Sequence, residues 1–188
     1  MVDPSPVVPP DDLSAPHRAA AFRRLFDAEV RYVWNTLRYL GVAAADLPDV
    51  SQEVFLTVYR LFEPDNPPRS LRSWLFSIAF HAASNHRRLT RHRHEVPSEE
   101  LEAIDPALSA DQQLAARQEL TLVLAALDGL DLDRRAVLTM HDLYGHPMPE
   151  VATALAIPLN TAYSRLRLAR QDFLAAVARR RLSRGAHG

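Results

Sequence analysis

The stretch MPEVATALAIPLNTAYSRLRLAR (148–170) settles the class of this chain. A short apolar-periodic segment carrying Val151, Ala152 and Leu155 breaks at Ala156-Ile157-Pro158, where the proline opposes helical geometry in the residue before it. A longer segment then starts at Leu159, with Ala162, Leu166, Ala169, Phe173 and Val177 on one stripe. Two helices joined by so tight a turn have the grammar of a helix-turn-helix. The opposite stripe holds Asn160, Tyr163, Ser164, Arg167 and Gln171, side chains able to reach base edges and phosphates in a major groove.

Elsewhere along the chain apolar residues recur at helical spacing, and the alternation expected of strands is absent. Phe22, Leu25, Phe26, Val30, Val33 and Leu37 predict a helix from His17 to about Leu40. Asp46 is placed to cap a second helix reaching Phe62, and EPDNPPRS (63–70) must be a loop. Ser70 is placed to cap a third helix reaching about Arg93. The pair Ser109 and Gln112 predicts a capping box opening a fourth that ends near Gly129. Further helices fit Asp133–Tyr144, Pro149–Leu155 and Leu159–Arg181. The expected architecture is all-α: a proline-rich arm (1–16), a helical domain (17–94), an acidic linker (95–111), a second helical domain (112–182) and a tail (183–188).

Charge obeys the same division. The chain has 188 residues and a net charge of -1, with no lysine, so all 22 basic residues are arginine. Residues 66–94 hold 6 Arg and no acid, 95–116 hold 6 acids and no Arg, and 151–188 hold 7 Arg against 1 acid. Two basic blocks separated by an acidic one suggest two surfaces for a polyanion on a flexible tether. With no cysteine, a disulfide scaffold, thiolate zinc site or cysteine redox switch is excluded. No apolar run has membrane-spanning length and the first residues lack signal-peptide order, so a soluble cytoplasmic protein is expected.

Two more helix faces carry information. On 46–62, Leu47, Val50, Val54, Val58 and Leu61 form an apolar stripe, while Asp49, Gln52, Glu53, Leu56 and Arg60 oppose it. An acidic-amide patch around an exposed leucine suits docking against a partner helix. On 71–93, Leu71, Trp74, Leu75, Ile78, Ala82 and Leu89 form the expected buried stripe. The other side shows Ser77, Phe80, His81, Ser84, Arg87, Arg88 and Arg91. Phe80 among arginines is either a stacking platform for an unstacked base or a residue packed under another helix; the arginines read as a nucleic-acid surface. His81, His86, His92 and His94 sit beside arginines without a completing carboxylate, so no metal is expected. No nucleophile–base pair, phosphate loop or paired-carboxylate motif appears, so neither enzyme activity nor a cofactor is expected.

Together the two halves resemble a bacterial RNA polymerase sigma factor of the extracytoplasmic-function (ECF) group. ADLPDVSQEVFLTVYRLF (45–62) is similar to the family's region 2 helix, an acidic pair followed by QE-x-F. SLRSWLFSIAFHAASNHRR (70–88) is similar to its WL-x-x-IA segment, and residues 126–170 resemble region 4. The resemblance implies that region 2 binds the β′ coiled coil of core polymerase and melts and reads the −10 element. Region 4 would read the −35 element and touch the β flap, and an anti-sigma factor would supply control. By position, Asp49, Gln52 and Glu53 would bind core polymerase, with Leu56 of the same helix face among them. His81, Asn85 and Arg88 would by position serve the −10 element, joined by Phe80, Ser84, Arg87 and Arg91 of the same helix face, with loop 63–70 as a wall of its base pocket. Asn160, Thr161, Tyr163, Ser164, Arg165, Arg167 and Gln171 would serve the −35 element. His81 stands where the family usually has Asn. Tyr163 and Leu168 stand where it usually has basic residues, and Met148 where Ser is common. The alternative is a stand-alone helix-turn-helix regulator that binds duplex DNA without polymerase.

Overall fold

A computed structural model describes residues 14–90 and 109–185. Helices α1 (Ser14–Tyr39), α2 (Leu47–Leu61) and α3 (Leu71–Thr90) form an N-terminal bundle, with a short 3-10 turn at Ala44–Asp46 before α2. Helices α4 (Ala110–Leu127), α5 (Leu132–Leu138), α6 (Met148–Ala154) and α7 (Leu159–Gly185) form a C-terminal bundle, and a π turn (Thr139–Leu143) extends α5. No strand occurs among the described residues. Most of the expected arm, linker and the tail end lie outside them, as does Arg91.

The apolar stripes of the two bundles merge into one continuous core. Val33 and Leu37 of α1, Val54 and Val58 of α2, and Leu75 and Phe76 of α3 are wholly buried. Each such side chain contributes about 1.5–3 kcal/mol relative to exposure. Val151 of α6, Val137 and Met140 do the same in the second bundle, where Ala162 and Ala169 of α7 are also wholly buried.

The stripes run differently from expectation at their ends. Leu61 is 59% and Leu89 77% exposed, because each lies on a last helical turn that overhangs the bundle. Phe55 and Phe76 are buried in their place. Trp74, Leu71 and Ala82 are half-buried. Asp46 makes no capping bond; its carboxylate pairs instead with His86 Nε2 at 3.1 Å. Ser70 likewise spends its hydroxyl on Ser73 Oγ and Glu150 Oε2, at 2.9 and 3.1 Å. The capping box of Ser109 and Gln112 is present. The predicted helix Asp133–Tyr144 is not uniform: α5 ends at Leu138, and Tyr144 N–H reaches back five residues to Thr139 O at 3.1 Å. Each residue added to a helical turn rotates the downstream chain by about 100°, which re-aims Tyr144.

The C-terminus of α1 shows how local sequence and tertiary contact combine. Val42 N–H bonds Leu37 O and Gly41 N–H bonds Arg38 O, both at 3.0 Å, with Gly41 at φ +88°. This is a Schellman ending, which glycine permits because it lacks a Cβ. It leaves the Tyr39 carbonyl unbonded within the helix, and Arg135 Nε of α5 donates to it.

The two bundles therefore do not stand apart. α3 packs on α6 and α1 on α4. A cleft of roughly 780 Å³ opens at this seam between Arg69, Trp74 and Ser77 on one side and Pro147 and Thr153 on the other.

Candidate nucleic-acid and polymerase interfaces

The acidic face of α2 is free of the bundle. Asp49, Gln52 and Glu53 are exposed, and Leu56 among them is 49% exposed. Nothing among the described residues requires an apolar side chain there. The surface continues onto α1 through Tyr59 and Phe26, which stack with Phe22 and Phe55 at centroid distances of 4.6–6.4 Å. Arg18 holds the end of α2 by donating to the carbonyls of Tyr59 and Arg60, at 2.7 and 3.1 Å. A cation there also complements the negative end of the helix dipole.

On α3, His81, Asn85 and Arg88 are placed on one side, with His81 and Asn85 exposed and Ser84 half-buried beside them. Phe80 is half-buried against the core, its ring edge-on to His81 at 5.7 Å. It is thus partly packed and partly presented, between the two roles left open by the sequence. Arg87 departs from the expected surface: its Nη1 is buried without a hydrogen-bond partner among the described residues. The end of loop 63–70 runs at Arg69 and Ser70 toward α6.

On α7, Asn160, Tyr163, Ser164, Arg167 and Gln171 all face outward, and Tyr163 is 53% exposed. Thr161 is half-buried. Arg165 does not belong with them. Its guanidinium pairs with Asp133 of α5 at 2.8 Å and holds the helix to the bundle. Arg170 does the same bidentately with Asp142 at 2.8 and 2.6 Å, which pushes its guanidinium pKa up. The acceptors of α5 and the π turn thus make tethers of Arg165 and Arg170 while Arg167 between them faces outward. Ser164 Oγ donates back to Asn160 O at 2.8 Å, so its hydroxyl offers solvent its lone pairs and not its proton. Ala156, at φ 51°, makes the turn between α6 and α7.

The seam between the bundles was not legible in the sequence. Its members are Thr36, Ser70 and Ser73 on the first bundle and Arg135, Tyr144, His146 and Glu150 on the second. Each reads locally as an ordinary polar surface residue. Among the described residues no cluster of His, Asp or Glu is arranged to hold a metal ion, and no helix is long and apolar enough to cross a membrane.

Known proteins are similar to this chain in sequence and in fold. The sequence pattern of Sigma-70 region 2 matches residues 25–93 and that of Sigma-70 region 4 matches residues 120–173, together most of the chain. RNA polymerase sigma factor NccH of Alcaligenes xylosoxydans xylosoxydans is 27% identical over 93% of this chain and 96% of its own. ECF RNA polymerase sigma-E factor of Escherichia coli (strain K12) is 28% identical over 69% of this chain and 73% of its own. Among solved structures, CnrH in complex with the cytosolic domain of CnrY matches with a TM-score of 0.59 at 26% identity, covering 86% of this chain and 94% of that one. RpoE in complex with the anti-sigma factor NepR from Bartonella quintana matches in fold, with a TM-score of 0.63 at 18% identity over 84% of this chain and 96% of that one. With region 2 in the first bundle and region 4 in the second, the chain belongs to the sigma-70 family, in its ECF group.

Proposed function

We propose that this protein is a transcription initiation factor that recruits core RNA polymerase to a set of two-element promoters, with no catalytic chemistry of its own, in the cytoplasm where the polymerase works. Asp49, Gln52, Glu53 and Leu56 dock the β′ coiled coil. His81, Ser84, Asn85 and Arg88, with the exposed edge of Phe80, take the opened −10 strand. Asn160, Tyr163, Ser164, Arg167 and Gln171 read the −35 element, and region 4 touches the β flap. An anti-sigma protein is the expected regulator, in keeping with the capture of the similar CnrH in complex with CnrY.

The observation that carries this reading is the acidic face of α2 with exposed Leu56 at its centre. A stand-alone duplex-binding regulator has no use for it. The test is initiation by purified core polymerase from a promoter library, with and without this protein, beside the double variant Asp49→Arg/Glu53→Arg. The variant leaves Val50, Val54 and Val58 untouched and is expected to stay folded while losing about 2–4 kcal/mol of core affinity. Promoter-specific transcripts that vanish with the variant support the assignment. Duplex binding with no dependence on polymerase would instead establish the regulator reading.

A further inference from the structure

A ladder of aromatic rings crosses from α1 to α2 near the start of α1. Phe22 meets Tyr59 edge-on at 5.0 Å and Phe26 at 6.4 Å, and Phe26 in turn meets Phe55 at 4.6 Å, centroid to centroid. The Arg18 guanidinium lies over the Tyr59 ring, 5.4 Å from its centroid. Phe55 is buried, but Phe26 is 37%, Tyr59 44% and the adjoining Leu56 49% exposed. Arg23 and Arg60, the chain neighbours of Phe22 and Tyr59, are exposed as well. Contiguous apolar surface with a charged rim marks a place where something docks.

We propose that the occupant of this ladder is the chain's own N-terminal segment, residues 1–13, laid over the rings as a polyproline-type strand, and that it there competes with polymerase for Leu56 and Tyr59. The segment reads MVDPSPVVPPDDL: four prolines, two adjacent valines, three aspartates and no basic residue. Proline-rich segments dock on aromatic-lined surfaces because their extended form is set beforehand and little entropy is lost on binding. Proline rings and Val7 and Val8 supply apolar contact for Phe22, Phe26 and Tyr59. Asp11 and Asp12 bring negative charge to the end of α1 that carries Arg18 and Arg23.

Chain length and attachment permit the seat. The described chain begins at Ser14, and Arg18 already donates to the Tyr59 and Arg60 carbonyls, so the segment enters within about two turns of the ladder. Phe22 and Phe26 lie about 12 and 18 Å along α1 from Ser14, at 1.5 Å per residue. Residues 4–11 in polyproline form span about 22 Å, at roughly 3.1 Å per residue. A chain reversal at Asp11-Asp12 therefore lays residues 7–10 beside Phe22 and lets Pro4 and Pro6 reach Phe26. A short tether holds the segment at an effective concentration on the order of millimolar, so a contact too weak to join two molecules is still populated. The competition rests on the proposed docking of α2 on polymerase; the seat itself does not.

The chain has no cysteine, so Ser5→Cys attaches a single nitroxide at a defined point of the full-length protein. Amide resonances at Phe26, Leu56 and Tyr59 are expected to broaden in the isotope-labelled, spin-labelled chain. Adding Val7→Ser/Val8→Ser/Pro9→Gly/Pro10→Gly is expected to abolish the broadening, with helicity by circular dichroism unchanged. Without the spin label, the same quadruple variant is expected to bind core polymerase several-fold more tightly than wild type. Broadening that is absent, or equal with and without the quadruple change, would overturn the seat. Broadening of equal size on an isotope-labelled chain mixed with a spin-labelled, isotope-free one would make the occupant a second copy and overturn it too. Broadening with equal core affinities would overturn the competition. If neither protein binds core polymerase, the docking reading of α2 fails, and the resonances still decide the seat.

Discussion

The Ser73 hydroxyl donates to Glu150 Oε2 over 2.7 Å, joining residues 77 positions apart and the two halves of the molecule. Ser73 first, then His146 and Ser70, hold the Glu150 carboxyl below its usual pKa, against the opposing effect of burial. A carboxylate whose pKa is depressed by a contact stabilises that contact above the usual carboxylate range, and loses the contribution as pH falls through the lowered value. The contact between α6 and α3 is therefore expected to weaken on acidification, and Glu150→Gln to remove that response. Facing Glu150 are His146 on its own side and Arg69 across the cleft. Scattering radii tracked from pH 7 downward, with helicity monitored in parallel, check the prediction.

Gly41 and Gly145 both hold positive φ, at +88° and +74°, but only Gly41 faces a neighbour. A Cβ there would collide with the Arg135 guanidinium, whereas one at Gly145 would meet nothing within 4 Å. Gly145→Ala is expected to cost only the left-handed backbone penalty of about 1–2 kcal/mol. Gly41→Ala should cost more, because it also displaces Arg135 from the Tyr39 carbonyl. Denaturant unfolding of the two variants measures the difference, and equal losses would show that Arg135 gives way freely.

Arg167 and Arg165 stand two residues apart on α7, the first facing outward and the second paired with Asp133. Arg167→Ala should cost about 1–3 kcal/mol of DNA affinity and relax preference at one −35 position if it meets a guanine edge. A uniform loss with a shallower salt dependence would assign it to phosphate. Arg165→Ala, by releasing Asp133, should lower thermal stability with little change in sequence preference. Binding to a promoter library, set beside melting curves, separates the two residues.

His81 is exposed on α3, edge-on to Phe80. An asparagine amide offers both donor and acceptor at any pH, whereas a neutral imidazole divides the roles between its two nitrogens and a charged one only donates. His81→Asn is expected to leave folding and core binding intact while shifting the preferred base in the −10 element. Transcription from templates carrying each base at that position, for wild type and variant, is the measurement; an unchanged ranking removes His81 from the pocket.

Features that depend on neighbours in the chain were legible from the residues alone. Apolar spacing, the Ser109–Gln112 box and the break at Pro158 place the helices, since each arises from bonds made within a turn or two. The outward faces of α2, α3 and α7 were legible for the same reason: a helix with one apolar stripe must present the other side. Which residues on those faces are spent internally depends on packing between elements. Arg165 and Arg167 are chemically alike and differ in the presence of Asp133 beside one of them. Leu61 and Leu89 fit the period of their helices and are exposed because the bundle ends before the helix does. The seam is the extreme case. Tyr144 with Thr36 and Ser73 with Glu150 are pairs of ordinary polar residues separated by 108 and 77 positions, and no local pattern couples them. Their partnership exists only once two independently patterned bundles have found each other, because a hydrogen bond needs its partner within about 3 Å and is indifferent to distance along the chain.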